Sequence, residues 1–143
     1  PSGTQYLPHT YEKVALLWRN GPAEVKLVTT DKEIKLSSGN SAYLIVDLPK
    51  EQSENIQINL PNMSWHIKRA SAPPVPEEMD QFDLASFPDR LVRALWVLKN
   101  GPDEWRLFAL SELEGLSRAG FFAAEQLWHA ALSGELAEVM KED

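Results

Sequence analysis

The segment SAPPVPEEMD, residues 71–80, divides this chain into two stretches with different hydrophobic periods. Its three prolines in six residues lack backbone donors and hold φ fixed, so neither a helix nor the interior of a sheet runs through it. The acids that follow keep it solvated. The sequence therefore reads as a β unit over residues 1–70, a proline-rich acidic linker over 71–86 and a helical unit over 87–143.

Residues 23–69 alternate apolar and polar side chains at period two and are rich in Val, Ile, Thr and Tyr, the pattern of half-buried strands. Val25 and Leu27 flank Lys26, Ile34 and Leu36 flank Lys35, and the polar TTDK between these segments suits a hairpin connection. Ile56, Ile58 and Leu60 alternate, as do Trp65 and Ile67, while residues 42–48 are apolar at nearly every position, which predicts a central strand covered on both faces. YEKVALLW at 11–18 fits a helical stripe and a strand equally well, and the Asn20–Gly21 turn signal after it favours a strand. The expectation is about six strands in a small antiparallel sandwich or open barrel. The polar opening PSGTQ would suit a short tether after an export signal, a lipid-attachment site or a membrane anchor.

Beyond the linker Ser86 is a candidate N-cap, with Pro88 and Asp89 in the first turn. A helix over 88–99 places Leu91, Leu95 and Leu98 on one face beside Trp96 and ends at Asn100–Gly101. A second, from 102 to about 118, offers Trp105, Phe108, Leu113 and Leu116 to a core and stops at Gly120. A third, over about 121–133, carries Phe122, Ala123, Leu127, Ala130 and Ala131, with Gly134 breaking it before a last turn.

NGPAE at 20–24 and NGPDE at 100–104 look like a repeat, yet the first leads into β-branched residues and the second into Leu, Glu and Ala. Turn chemistry used twice explains this better than a duplicated unit does. A thin sheet has little interior of its own, so the helical unit is expected to dock on it, with Trp18, Trp65, Trp96 and Trp105 near the junction. The fold class is α+β.

Charge narrows the function. Residues 1–70 hold 8 Lys or Arg against 7 Asp or Glu, whereas residues 71–143 hold 6 against 14. A pI near 5.0 argues against a nucleic-acid partner, which demands a basic face. No apolar run approaches the roughly 20 residues of a membrane-spanning helix. Pro1 in place of Met suits a processed or truncated N-terminus, so the bacterial periplasm or another extracytoplasmic side and the cytoplasm both stay open.

Chemistry-bearing patterns are sparse. The chain has no cysteine, and His9, His66 and His129 are too far apart in sequence to form a ligand pair. Glu125 and His129 share a helix face as an ordinary i, i+4 pair, and His66 is expected to point to solvent. Neither a nucleophile elbow nor a phosphate-binding glycine loop is present. The carboxylates Glu77, Glu78, Glu112 and Glu114 read as a solvated face. No catalytic, cofactor-binding or metal-ligating set is assigned, and no cofactor is expected.

The preferred reading is a non-enzymatic protein–protein interaction or assembly module, an accessory or adaptor subunit whose acidic helices meet a basic partner surface. The alternative is a carbohydrate- or peptide-binding β module with Trp65 or Tyr43 as an exposed stacking platform. Trp65, Tyr43, Trp128, Glu112 and Glu114 are the candidate partner-binding residues under these readings.

Overall fold

The computed structural model describes residues 2–18, 24–30, 32–37, 43–48, 56–61 and 63–141. Within them the strands β1 (Ser2–Pro8), β2 (Lys13–Leu17), β3 (Glu24–Val28), β4 (Glu33–Ser37), β5 (Tyr43–Asp47), β6 (Ile56–Leu60) and β7 (Met63–Ala70) precede the helices. These are α1 (Phe87–Asn100), α2 (Arg106–Arg118), α3 (Phe122–Leu132) and α4 (Leu136–Lys141). The chain is α+β, strands first and helices after.

Five strands form one sheet in the order β1-β7-β6-β3-β4, and β2 and β5 pair antiparallel as a separate two-stranded ribbon. The β7-β6-β3-β4 part is antiparallel throughout, as its alternation implies. β1 is an addition. The opening residues, expected as a tether, pair in parallel with β7 from Ser2 opposite Ser64 to Pro8 opposite Ala70. Alternation explains it: Gln5 and Leu7 are buried while Thr4, Tyr6 and Pro8 are partly exposed, and the Tyr6 ring stacks on Trp105 with centroids 5.7 Å apart. Gln5 donates through Nε2 to the Asp103 carbonyl at 2.9 Å and accepts from the Leu107 N–H at 3.1 Å. That satisfies one of the orphan donors at the start of α2.

The segment 11–18 does form a strand, β2, with residue 11 and 12 leading into it. The Asn20–Gly21 turn lies outside the described residues, yet β2 and β3 on its two sides belong to different sheets, so they are not a hairpin pair. The ribbon is the middle layer of the molecule. Val14, Leu16, Val46 and Leu48 pack with Val25, Ile58 and Ile67 of the large sheet, whereas Ala15, Leu17, Tyr43 and Ile45 pack with Leu91, Leu113 and Trp128 of the helices. A strand buried on both faces needs apolar residues at consecutive positions, which is why these two segments are nearly continuous apolar runs. Coverage on both faces was expected for β5; the structure realises it in a two-stranded ribbon rather than at the centre of a large sheet. Ala42 lies outside the described residues.

Helix ends follow their chemistry. The Ser86 hydroxyl accepts from the Asp89 N–H at 3.4 Å at the start of α1. α2 closes with the Phe121 N–H on the Leu116 carbonyl and the Gly120 N–H on Ser117, and Gly120 has φ of 91°. α3 closes the same way through Gly134, φ 81°. Both are Schellman caps, whose left-handed residue is glycine because a Cβ there is strained. Gly101 has ordinary φ, and its glycine has another cause: a Cβ would sit 2.7 Å from the Val97 carbonyl oxygen. The second NGP therefore separates two helices.

α2 is the central helix, packing on α1, α3, β1 and β2, and every residue from Leu107 to Glu114 is buried. Trp105 is buried, and Trp18, Trp65 and Trp96 lie partly buried against the same core, at the junction of sheet and helices. On α3 Phe122 is 63% exposed, and Ala124 and Trp128 are the buried residues.

Candidate functional site

Two features stand out, a buried polar cluster and a half-open groove. The polar one centres on Glu112, whose burial follows from its place on the helix that the other elements surround. Arg90 and Arg93, three residues apart on α1, share a face. Arg90 donates to Glu112 Oε1 through Nε at 3.0 Å and through Nη2, and Arg93 Nη2 donates to Oε2 at 3.2 Å. Tyr11, from the segment entering β2, donates its hydroxyl to Oε2 at 2.7 Å. The neighbouring Ser111 hydroxyl accepts from the Ala15 N–H at 2.9 Å, tying α2 to the free edge of the ribbon. Arg69 donates to the carbonyls of Pro8 and Tyr11 and fixes the connection between β1 and β2.

A carboxylate offers about four lone-pair sites. Four donors occupy those of Glu112, so its hydrogen-bonding capacity is used within the fold. Its two arginines also lie over aromatic faces, Arg93 over Phe108 at 5.2 Å and Arg90 over Phe87 at 5.8 Å. Burial, and then the adjacent carboxylate, push the Tyr11 hydroxyl well above the ordinary tyrosine range. The arrangement is a joint that locks α1, α2 and the entrance to β2 together. Arg93 Nε is left buried without a partner among the described residues, a residual cost of that geometry.

The second feature is a half-open groove of ≈ 240 Å³, with polar and apolar lining, between the end of β2, the start of α2 and the α3–α4 turn. Leu17 and Trp18 form one wall, Arg106 and Leu110 another, and Leu132, Leu136 and the small residues around Gly134 the third. Small side chains create the space: Ala131, Gly134 and Ala137 stand where larger ones would fill it. Trp18 Nε1 is buried and has no hydrogen-bond partner among the described residues, and Arg106 has no ion pair there either.

The five sequence candidates do not converge on one place. Tyr43 and Trp128 meet edge to face, centroids 5.5 Å apart at 84°, inside the core between ribbon and helices. Trp65 lies partly buried on β7 against the other core. Glu112 is 3% exposed within the joint, and Glu114 is buried and paired with Arg118 at 3.2 Å. The reading of these two acids as a solvated face fails because α2 is surrounded and arginines meet both carboxylates. Glu77 and Glu78, in contrast, are exposed, as is His66.

Sequence reasoning missed the groove entirely. Its walls come from residues more than 100 positions apart, and no local pattern announces a gap left by alanines. Among the described residues no group of three or more His, Cys, Asp or Glu is placed to hold a metal ion, and no helix is long and apolar enough to cross a membrane. Compared with known proteins, the chain matches no family model, no curated protein and no solved structure.

Proposed function

We propose that this chain is a non-enzymatic protein-interaction module, an accessory or adaptor subunit, that receives an apolar side chain of its partner in the groove beside Trp18. The observation that carries the reading is the groove itself: a recess walled by Leu17, Trp18, Leu110, Leu132 and Leu136 is suited to an anchoring apolar side chain. The saturated Glu112 joint supports the same reading, since the most concentrated polar cluster is engaged within the fold.

Charge around the groove favours a basic partner. Asp103 and Glu104 precede Arg106, and Glu135 and Glu138 flank Leu136 and Ala137; all four acids are exposed. They outnumber the one arginine lining the groove, so encounter is steered toward positive surfaces and weakened by salt.

A photo-crosslinking residue at Ala137, which is exposed and lines the groove, tests this. The expected outcome is capture of one defined protein whose purified form binds the chain, with binding lost on Ala137→Trp and an association rate that falls as salt rises. Binding indifferent to Ala137→Trp removes the groove from the interface. A salt-independent rate removes the acids.

A further inference from the structure

Among the described residues β4 is an outer strand of the large sheet, and its pattern complements itself. We infer that two copies of this chain pair through β4, antiparallel and about a two-fold axis at Ile34, to give one continuous sheet across the pair.

The argument begins with hydrogen-bond alternation. β3 and β4 are joined by a tight hairpin in which the Thr29 N–H donates to the Lys32 carbonyl at 2.9 Å, and the register continues through Leu27 opposite Ile34 and Lys26 opposite Lys35. Directly opposite residues in an antiparallel pair alternate between hydrogen-bonded and non-hydrogen-bonded. Lys32, Ile34 and Leu36 thus turn their backbone groups toward β3, and Glu33 and Lys35 turn theirs to the outer edge. β4 is the last strand of its sheet, and among the described residues those outward groups have no strand partner.

Side chains then select the register. Ile34 lies on the core-facing row, opposite the 3% exposed Leu27, yet is itself 43% exposed. On the solvent face Lys35 stands opposite Lys26, a like-charged pair, and Glu33 pairs with Lys26 at 3.6 Å. Lys35 has no ionic partner among the described residues.

A two-fold axis at Ile34 resolves these features together. Glu33 of each copy faces Lys35 of the other as a hydrogen-bonded pair, which uses the outward backbone groups and gives each Lys35 an acid. Ile34 meets Ile34 of the second copy as a non-hydrogen-bonded pair, the closer kind, with Cα atoms about 4.5 Å apart. An axis at Lys35 instead sets lysine against lysine. A five-residue edge buries little area, so the pairing is weak and depends on concentration.

The chain has no cysteine, which makes single-cysteine variants clean probes. A Cα separation of about 4.5 Å falls within disulfide range, so oxidised Ile34→Cys should form covalent dimer at least about tenfold faster than Lys35→Cys or Val92→Cys. Val92, 47% exposed on α1, reports random collision. Equal rates for the three variants overturn the proposal, and a faster Lys35→Cys overturns the register. Sedimentation provides a second measurement that needs no new bond. The unmodified chain should self-associate as its concentration rises, Glu33→Lys or Lys35→Glu alone should abolish this, and the two changes together should restore it. A chain that stays monomeric throughout, or a double variant no better than the singles, overturns the pairing.

Discussion

The ribbon of β2 and β5 and the hairpin of β3 and β4 are both antiparallel pairs of five-residue strands, and they are stabilised in opposite ways. The ribbon is covered by the large sheet on one face and by helices on the other, with Val14, Leu16 and Val46 at 0% exposure. Among the described residues β4 has one neighbouring strand, and Ile34 is 43% exposed. A strand's own pairing thus contributes less than the layers around it. The ribbon depends on elements from both ends of the chain, whereas the hairpin depends on its own sheet.

Cutting the chain after Ala70 makes the sharpest test of that contrast. The cut removes everything that covers Ala15, Leu17, Tyr43 and Ile45, along with Trp105, Phe108 and Ala109 from the other core. A 70-residue remnant with one face of its middle layer in water is expected to lose cooperative unfolding altogether. A sharp thermal transition in that remnant, at the temperature of the whole chain, would show that the sheet stands alone and would erase the distinction.

Point substitutions give a smaller and graded version. Leu16→Ala empties a site sealed on all sides and is expected to cost about 2–5 kcal/mol, because surrounding layers cannot collapse into the cavity. Ile34→Ala removes a side chain already near half in water and should cost under about 1 kcal/mol. Both are read from urea midpoints at dilute concentration, where self-association is negligible. Equal losses at the two positions would contradict the layered account.

How far the sequence announces this architecture depends on where each signal resides. VALL and YLIV are continuous apolar runs and EVKLV alternates, so burial on two faces and on one can be read directly from the residues. The helix ends at Gly101, Gly120 and Gly134 are equally local. β1 is not, since SGTQYLP holds glycine, proline and polar residues, and its strand character comes from parallel pairing with residues about 60 positions later. Glu112 is the other lesson. It has the same charge as Glu104 in sequence, but one is surrounded by two arginines and a tyrosine while the other is exposed, and only the position of α2 among its neighbours decides that. The groove belongs to the same class, a space set by where three separate segments stop.

The gentlest probe of the ribbon is at its entrance, where Tyr11 hands its proton to no one at neutral pH. Its hydroxyl donates to a charged acceptor, so Tyr11→Phe should cost about 1.5 kcal/mol there while keeping the ring against Phe108, centroids 5.5 Å apart. The pH dependence has a definite sign. Burial and the Glu112 carboxylate raise the folded-state pKa above the unfolded value near 10.0, so the hydroxyl stays protonated in the fold after it ionises in the unfolded chain. The stabilisation is therefore complete below about pH 10 and declines as pH rises beyond it, by ~1.4 kcal/mol per pH unit from this group. Subtracting the Tyr11→Phe profile from that of the unaltered chain isolates the effect, because every other titrating group is common to both. A flat difference across pH 8–11 would mean that Tyr11 reaches solvent in the fold, and the joint would then not seal the ribbon where the helices meet it.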